Sequence, residues 1–317
     1  MKLKLFFILI LALACVLCGC KQEPVEATVP TTVVTEPPTE PPPPKAGLLV
    51  KNLTADEQDG IDLQNCLEGL GYEVLLRDGE NDQAKQNEQV TELLDAGCEI
   101  LVLQPVMVSG LDVLLKEVNQ VPVIILDAQP NLGEGFENVK VLCPREETAA
   151  AVETELLGKI TGDLNGDGFV STLLVYGPED HLDATARAES FTAAIHAETH
   201  IVLETVIGEW SQDGGRSACG QMLSKYGPDV ELIVTFGEDM TLGAIAAIEN
   251  GGWTPGTDVH LIGIGNSSVI RNEARLGRIS GLSAPDADQR LQLLEQLITG
   301  EVTEKVNYIE YIPIMPQ

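Results

Sequence analysis

The run Asp163-Leu164-Asn165-Gly166-Asp167-Gly168-Phe169-Val170-Ser171 sets oxygen-bearing side chains at the first, third, fifth and ninth positions of a loop, with glycine at the sixth. That is the spacing of a calcium loop. A hard cation of this size takes roughly six to eight oxygens, so one short segment must deliver several and turn sharply, here at Gly168. The seventh position, Phe169, contributes a backbone carbonyl. At the twelfth, where such loops carry a bidentate glutamate, stands Leu174, and 172–175 reads as a strand. A further carboxylate has to come from elsewhere. A calcium ion here is structural: it ties the loop to the fold and does no chemistry. The plainer reading is an Asn-Gly and Asp-Gly turn with solvated acids.

Cys20 is the other residue with a chemical fate. Lys2 and Lys4 precede an unbroken apolar run from Leu5 to Leu17, and Leu17-Cys18-Gly19-Cys20 places small residues before a cysteine. Charge, apolar core and cleavage site follow in the order of a signal peptide. The run is shorter than the roughly 20 residues that cross a bilayer core. The cysteine in fourth place matches a bacterial lipobox, whose thiol takes a diacylglycerol, and two acyl chains suffice for stable anchoring. Residues 21–45 follow as a Pro/Thr-rich tether ending in Pro41 to Pro44. At about 3.1 Å per residue in polyproline II geometry it spans up to about 60 Å.

Catalytic patterns are absent. There is no GxSxG and no HExxH, and His181, His196, His200 and His260 have no metal-ligand spacing. Cys66, Cys98, Cys143 and Cys219 form no CxxC pair and read as buried free thiols. A formal charge of −30 argues against nucleic acid, whose phosphates need Lys and Arg. The same charge suits divalent cations and a freely soluble exported domain.

The elements that must hold these residues alternate. Strands at 47–50, 73–77, 100–103 and 121–126 are separated by helical periodicity at 59–70, 82–96 and 110–118. After Cys143 the pattern restarts, with helices at 146–160, 183–196, 214–225 and 240–250 and strands at 171–175, 201–207, 232–235, 260–263 and 278–282. A last helix, 286–297, and the apolar tail 308–314 cross back. Such alternation predicts an α/β fold of two doubly wound, Rossmann-like parallel-sheet domains, with a hinge near 142–144 and a ligand cleft between them. The domains are 46–142 plus 285–304, and 143–284 plus 305–317.

At the calcium loop the chain begins to resemble the periplasmic galactose/glucose-binding proteins that feed ABC sugar importers. The segment Gly162-Asp163-Leu164-Asn165-x-Asp167-Gly168, followed by a strand and then His181-x-Asp183-Ala184-x-Ala186-Arg187, is similar to that family in motif and spacing. Asn81-Asp82-Gln83-x-Lys85-Gln86-Asn87-x-Gln89 resembles its second helix, and Val121-Pro122-Val123 one of its strands. The resemblance covers most of the mature domain. It implies a type I periplasmic-binding-protein fold, a monomer that closes on a small ligand and presents it to an ABC permease.

It also implies site residues. Glu231 stands where the family completes its calcium set, which would then be Asp163, Asn165, Asp167, the Phe169 carbonyl, Ser171 and Glu231; Ser171 is shorter than the family's glutamine. His181, Asp183 and Arg187 match polar sugar contacts, and Trp210 matches the aromatic face on which a pyranose stacks. A guanidinium fork and a carboxylate suit adjacent hydroxyls, and a ring face suits sugar C–H groups. Elsewhere the pattern departs. Asp56 can replace the first-loop acid, but no aromatic accompanies it, and Gln104 stands for an asparagine. Gly237, Gly265 and Ala284 fall on further contact positions, although Glu238 and Asp239 follow the first, Asn266 lies beside the second and Asp286 near the third. Losing such contacts alters specificity. The expected function is lipid-tethered capture of a monosaccharide of galactose or glucose type. Alternatives are a ligand sensor or degenerate scaffold read by a membrane receptor, and a two-carboxylate glycosidase.

Overall fold

The computed structural model describes residues 41–118, 121–160, 162–178, 189, 191–195 and 199–316. Pro43–Gln317 form one compact unit built on two six-stranded sheets. In the first lobe β1 (Lys45–Val50), β2 (Glu73–Asp78), β3 (Ile100–Leu103), β4 (Val123–Leu126) and β5 (Val139–Pro144) alternate with α1 (Glu57–Gly69), α2 (Gln83–Asp95) and α3 (Leu111–Glu117). The second lobe holds β6 (Val170–Tyr176), β7 (His200–Ile207), β8 (Leu232–Thr235), β9 (His260–Ile264) and β10 (Gly281–Pro285). Its described helices are α4 (Glu146–Lys159), α5 (Gln212–Tyr226), α6 (Glu238–Asn250) and α7 (Ser268–Arg275). Helix α8 (Ala287–Thr299) and β11 (Val306–Ile309) then return to the first lobe, and β12 (Tyr311–Ile314) ends on the second sheet.

The strand orders are β2-β1-β3-β4-β5-β11 and β7-β6-β8-β9-β10-β12. All pairs are parallel except β10 with β12. The central strands read Ile-Leu-Val-Leu, Val-Ile-Ile-Leu and Leu-Ile-Val-Thr and are buried throughout, because helices cover both faces of a parallel sheet. Each order reverses direction beside its first strand, β1 or β6. Open sheets leave a crevice there, beyond the carboxyl ends of the strands.

Three expectations are corrected. β5 continues the first sheet through Pro144, so the hinge follows that residue. The segment 305–317 is shared: Val306–Ile309 pairs with β5, and only β12 joins the second lobe. The strand expected at 278–282 lies at 281–285, where the small residues of Gly-Leu-Ser-Ala-Pro carry little hydrophobic pattern. They are small because α4 lies close: a Cβ on Gly281 would meet Leu156 at 2.9 Å. Helix α7 was missed because it is short and buries only Ile270 and Ala274.

Three chain crossings link the lobes side by side, after β5, after β10 and between β11 and β12. Arg145 N donates to Ile309 O at 2.8 Å, and Asp286 N to Glu310 O at 2.9 Å. The Arg145 guanidinium pairs with Glu310 at 2.8 Å and lies 4.6 Å from the Tyr308 ring centre.

Candidate functional site

A cavity of about 700 Å³ opens where the two crevices meet. From the first lobe Lys51, Asn52 and Asp56 enter after β1, Gln104 after β3 and Asp127 after β4. From the second lobe come Trp210 after β7, Glu238 and Asp239 after β8, and Asn266 and Ser267 after β9. Every one follows the carboxyl end of a strand.

The floor is an ionic cluster. Arg290, on α8, is 2% exposed. Its guanidinium pairs with Asp59 and reaches Asp127 Oδ2 at 2.6 Å. Gln104 Nε2 donates to Asp59 Oδ2 at 2.8 Å and Asp127 Oδ2 at 3.0 Å. Burial pulls the Arg290 pKa down, but Asp127 and Asp59 outweigh it and hold the group above its ordinary value. A permanently charged fork tying two carboxylates fixes their positions before any ligand arrives. Asp127 has φ of +60°, a left-handed conformation, and only its Oδ2 is engaged. Among the described residues its Oδ1 has no protein partner, which leaves an oxygen able to accept from a hydroxyl.

In the opposite wall stands Trp210, and both it and the preceding Glu209, which does not line the cavity, adopt left-handed backbone, with φ of +50° and +53°. The indole sits against Gly177, where a Cβ would fall 2.0 Å from the ring. Any side chain at 177 would evict it. Glu238, the first residue of α6, accepts from Asn266 N at 2.8 Å, Ser267 N at 3.1 Å and the Ser267 hydroxyl. It lies over Gly265, where a Cβ would meet Glu238 Oε2 at 2.7 Å. Glu238 therefore spends its oxygens bracing the loop into α7.

Asp56 proves to be more than a lining acid. Its Oδ1 caps α1 through Asp59 N and also accepts from Ser268 N of the other lobe, each at 3.4 Å. Burial, then the neighbouring charge of Asp59, raises its pKa; burial and Glu238 raise that of Asp239, against the opposing charge of Lys51. A carboxyl with a raised folded-state pKa destabilises the fold when ionised, and the penalty is relieved as pH falls through that pKa. Asp56→Asn keeps a good cap and an acceptor. It is expected to be more stable than wild type at neutral pH, with the gain shrinking towards about pH 4. Urea melts of both proteins at the two pH values measure this, and a variant weaker at neutral pH would contradict it.

The loop expected to bind calcium makes the turns of such a loop. Asp163 accepts from the backbone N–H of Gly166, Asp167 and Gly168 at 2.7–3.1 Å, and Asn165 and Asp167 accept from Asp167 N and Phe169 N. Glu231, however, is 1% exposed and gives both oxygens to backbone: Oε1 to Leu164 N and Asn165 N, Oε2 to Ser171 N. Among the described residues no three His, Cys, Asp or Glu side chains group to hold a metal. In this conformation Glu231 braces the loop through backbone N–H groups.

Of the sugar contacts expected from the sequence, Trp210, Gln104 and Asp56 line the cavity, although the Gln104 amide is bound to the floor carboxylates. His181, Asp183 and Arg187 lie outside the described residues. Asp59, Asp127 and Arg290 were not anticipated. Arg290 had a signal: it shares the buried stripe of α8 with Leu294 and Leu297, a lone cation among leucines.

A family model described as "Periplasmic binding protein domain" matches residues 51–301. A ribose import binding protein of Salmonella typhimurium is 25% identical over 242 residues, 73% of this chain and 76% of its own length. A galactofuranose-binding protein of Escherichia coli is 25% identical over 202 residues, 61% of each chain. Among solved structures, a galactofuranose binding protein aligns with TM-score 0.65 at 17% identity, covering 86% of this chain and 95% of its own. An ABC transporter solute binding protein from Bacillus halodurans with bound myo-inositol aligns at 0.64 and 18%, covering 88% and 96%. A galactose-binding relative from Haemophilus influenzae, 24% identical over 191 residues, spans less of the chain than the ribose binder, so the matches do not single out the galactose/glucose branch.

Proposed function

The chain belongs to the periplasmic binding protein domain family, and from that premise we propose that it captures a small sugar or related polyol between its lobes and presents it to an ABC permease. The family works outside the cytoplasm, and the chain is a binding protein, not an enzyme. Among the described residues no helix is long and apolar enough to cross a membrane. The observation that carries the reading is the meeting of two switch-point crevices in one cavity, with the open Asp127 carboxylate oxygen in one lobe and the Trp210 indole in the other. A sugar ring offers hydroxyl donors to the first and C–H groups to the second. Closure about the triple crossing would trap it.

The cargoes named for the relatives, ribose, galactofuranose and myo-inositol, are all polyhydroxylated rings. A galactose- or glucose-like monosaccharide is the narrower proposal, and it rests on Trp210. Lipidation at Cys20, a monomeric state and structural calcium at the 163–171 loop are further proposals, the last on ligand spacing alone. That Glu238 is engaged with its own loop favours one second reading, a sensor or scaffold whose cleft has partly lost its contacts.

A thermal-shift panel of pentoses, hexoses and inositols decides the matter. A ligand at 100 times its Kd stabilises by about 2.7 kcal/mol, readily visible as a shift. Trp210→Ala is expected to abolish the shift without unfolding the protein. If no sugar or polyol moves the melt, the substrate class is wrong.

A further inference from the structure

A second cavity, of about 790 Å³, adjoins the first and shares Val108, Asp127 and Ala128 with it. Its remaining walls include Gln129, Asn131 and Leu132 after β4, Cys143 at the end of β5, Glu146 at the start of α4 and Lys305 before β11. Both lobes contribute to it, and the chain crossings bound it. Resting on the sugar-binding reading, we propose that this hinge compartment is a second subsite, and that the ligand is a disaccharide or glycoside whose second ring extends past Ala128.

Three features carry the assignment. The two cavities share the lining residues Val108, Asp127 and Ala128, and Ala128 presents only a methyl group to the junction. Asp127 stands at that junction, in its left-handed conformation, with Oδ2 tied to the floor and Oδ1 without a protein partner among the described residues. A hydroxyl near a glycosidic link would meet it there. The walls beyond are mixed. The side chains of Asn131 and Lys305 make no hydrogen bond or ion pair among the described residues, although the Lys305 carbonyl accepts from Val141 N at 2.8 Å, while Leu132, Cys143 and Val141 offer apolar surface. That mixture suits a ring with hydroxyl edges and C–H faces. Single ligand pockets run from about 300 to 1,000 Å³ and enclose most of the ligand's surface, so one sugar ring seated between Asp127 and Trp210 would leave the hinge compartment empty.

The test is calorimetric titration of the whole protein with matched pairs: galactose against lactose and melibiose, glucose against maltose and cellobiose, ribose against adenosine. In at least one pair the two-ring ligand is expected to bind about tenfold or more tightly than its single ring. Asn131 is exposed and tolerates substitution, so Asn131→Trp fills the compartment; it should erase that advantage while leaving the single-ring Kd within about twofold. Lys305→Ala, at a second exposed position, should reduce the advantage without added bulk. If single rings bind as tightly as their pairs, or both variants leave the preference intact, the subsite is overturned while sugar binding stands. If neither member of any pair binds, both proposals fall.

Discussion

Replacing Arg290 with methionine should lower unfolding stability by about 3 kcal/mol, the low end of what removing one partner from a buried ion pair produces. The low end applies because Asp59 and Asp127 keep some exposure to the cavity and can be partly solvated. Methionine preserves much of the side-chain volume, so the loss reports charge and hydrogen bonding, not a cavity. Two carboxylates that share one guanidinium would then repel each other. The expected signature is a lower urea midpoint with an unchanged slope, and a partial recovery when Asp127→Asn is added to Arg290→Met. That coupling is the decisive measurement. A loss under about 1 kcal/mol, or strictly additive effects, would show that Arg290 is not what stabilises the floor. Ligand affinity should fall as well, because Asp127 would no longer be held for a hydroxyl.

Glu231→Ala should have an effect of similar size. It strands three backbone N–H groups, those of Leu164, Asn165 and Ser171, at a residue 1% exposed. Ser171 N is buried, and orphaning it carries a penalty of about 1–3 kcal/mol, whereas the N–H groups of the exposed Leu164 and Asn165 can regain water, which keeps the total near about 3 kcal/mol. Glu231→Gln, which retains one acceptor oxygen, should lose about half as much. The same melts test calcium at the loop. A chelator that lowers the melting temperature of wild type but not of Asp167→Ala supports a bound ion; a chelator without effect leaves the loop braced by hydrogen bonds alone. Both outcomes are read beside the Glu231→Ala loss, so the hydrogen-bonded brace and the ion are measured separately.

The sequence exposes the architecture because parallel strands buried on both faces must be continuous apolar runs, and Ile100–Leu103 and Leu232–Thr235 are found at their observed limits. It hides strands that lack such runs. β10 is built of small residues pressed against α4, and β5 sits where the pattern restarts, so both were misplaced or missed. The site is legible in one sense only. Residues that follow strands are candidates by topology, and Asp56, Gln104 and Trp210 were found that way or by resemblance. Which of them meet one another depends on side chains arriving from distant elements. Asp59 and Arg290 are 231 residues apart, and no local pattern couples a first-turn acid of α1 to a lone arginine on the leucine stripe of α8. Glu231 does reach the loop, and its bonds to three backbone N–H groups are something spacing alone could not reveal.

The three crossings between the lobes lie next to one another and are laced by Arg145, Glu310 and backbone bonds. Mechanically they act as a leaf spring. Adjacent straps bend together easily but resist shear and torsion, so the lobes have one soft coordinate, the opening angle. Occupancy of the cleft is thereby written as a single number on the outer surface. On the proposed function, a permease that grips both lobes would read that angle, and so would a receptor that touches only their outer edges.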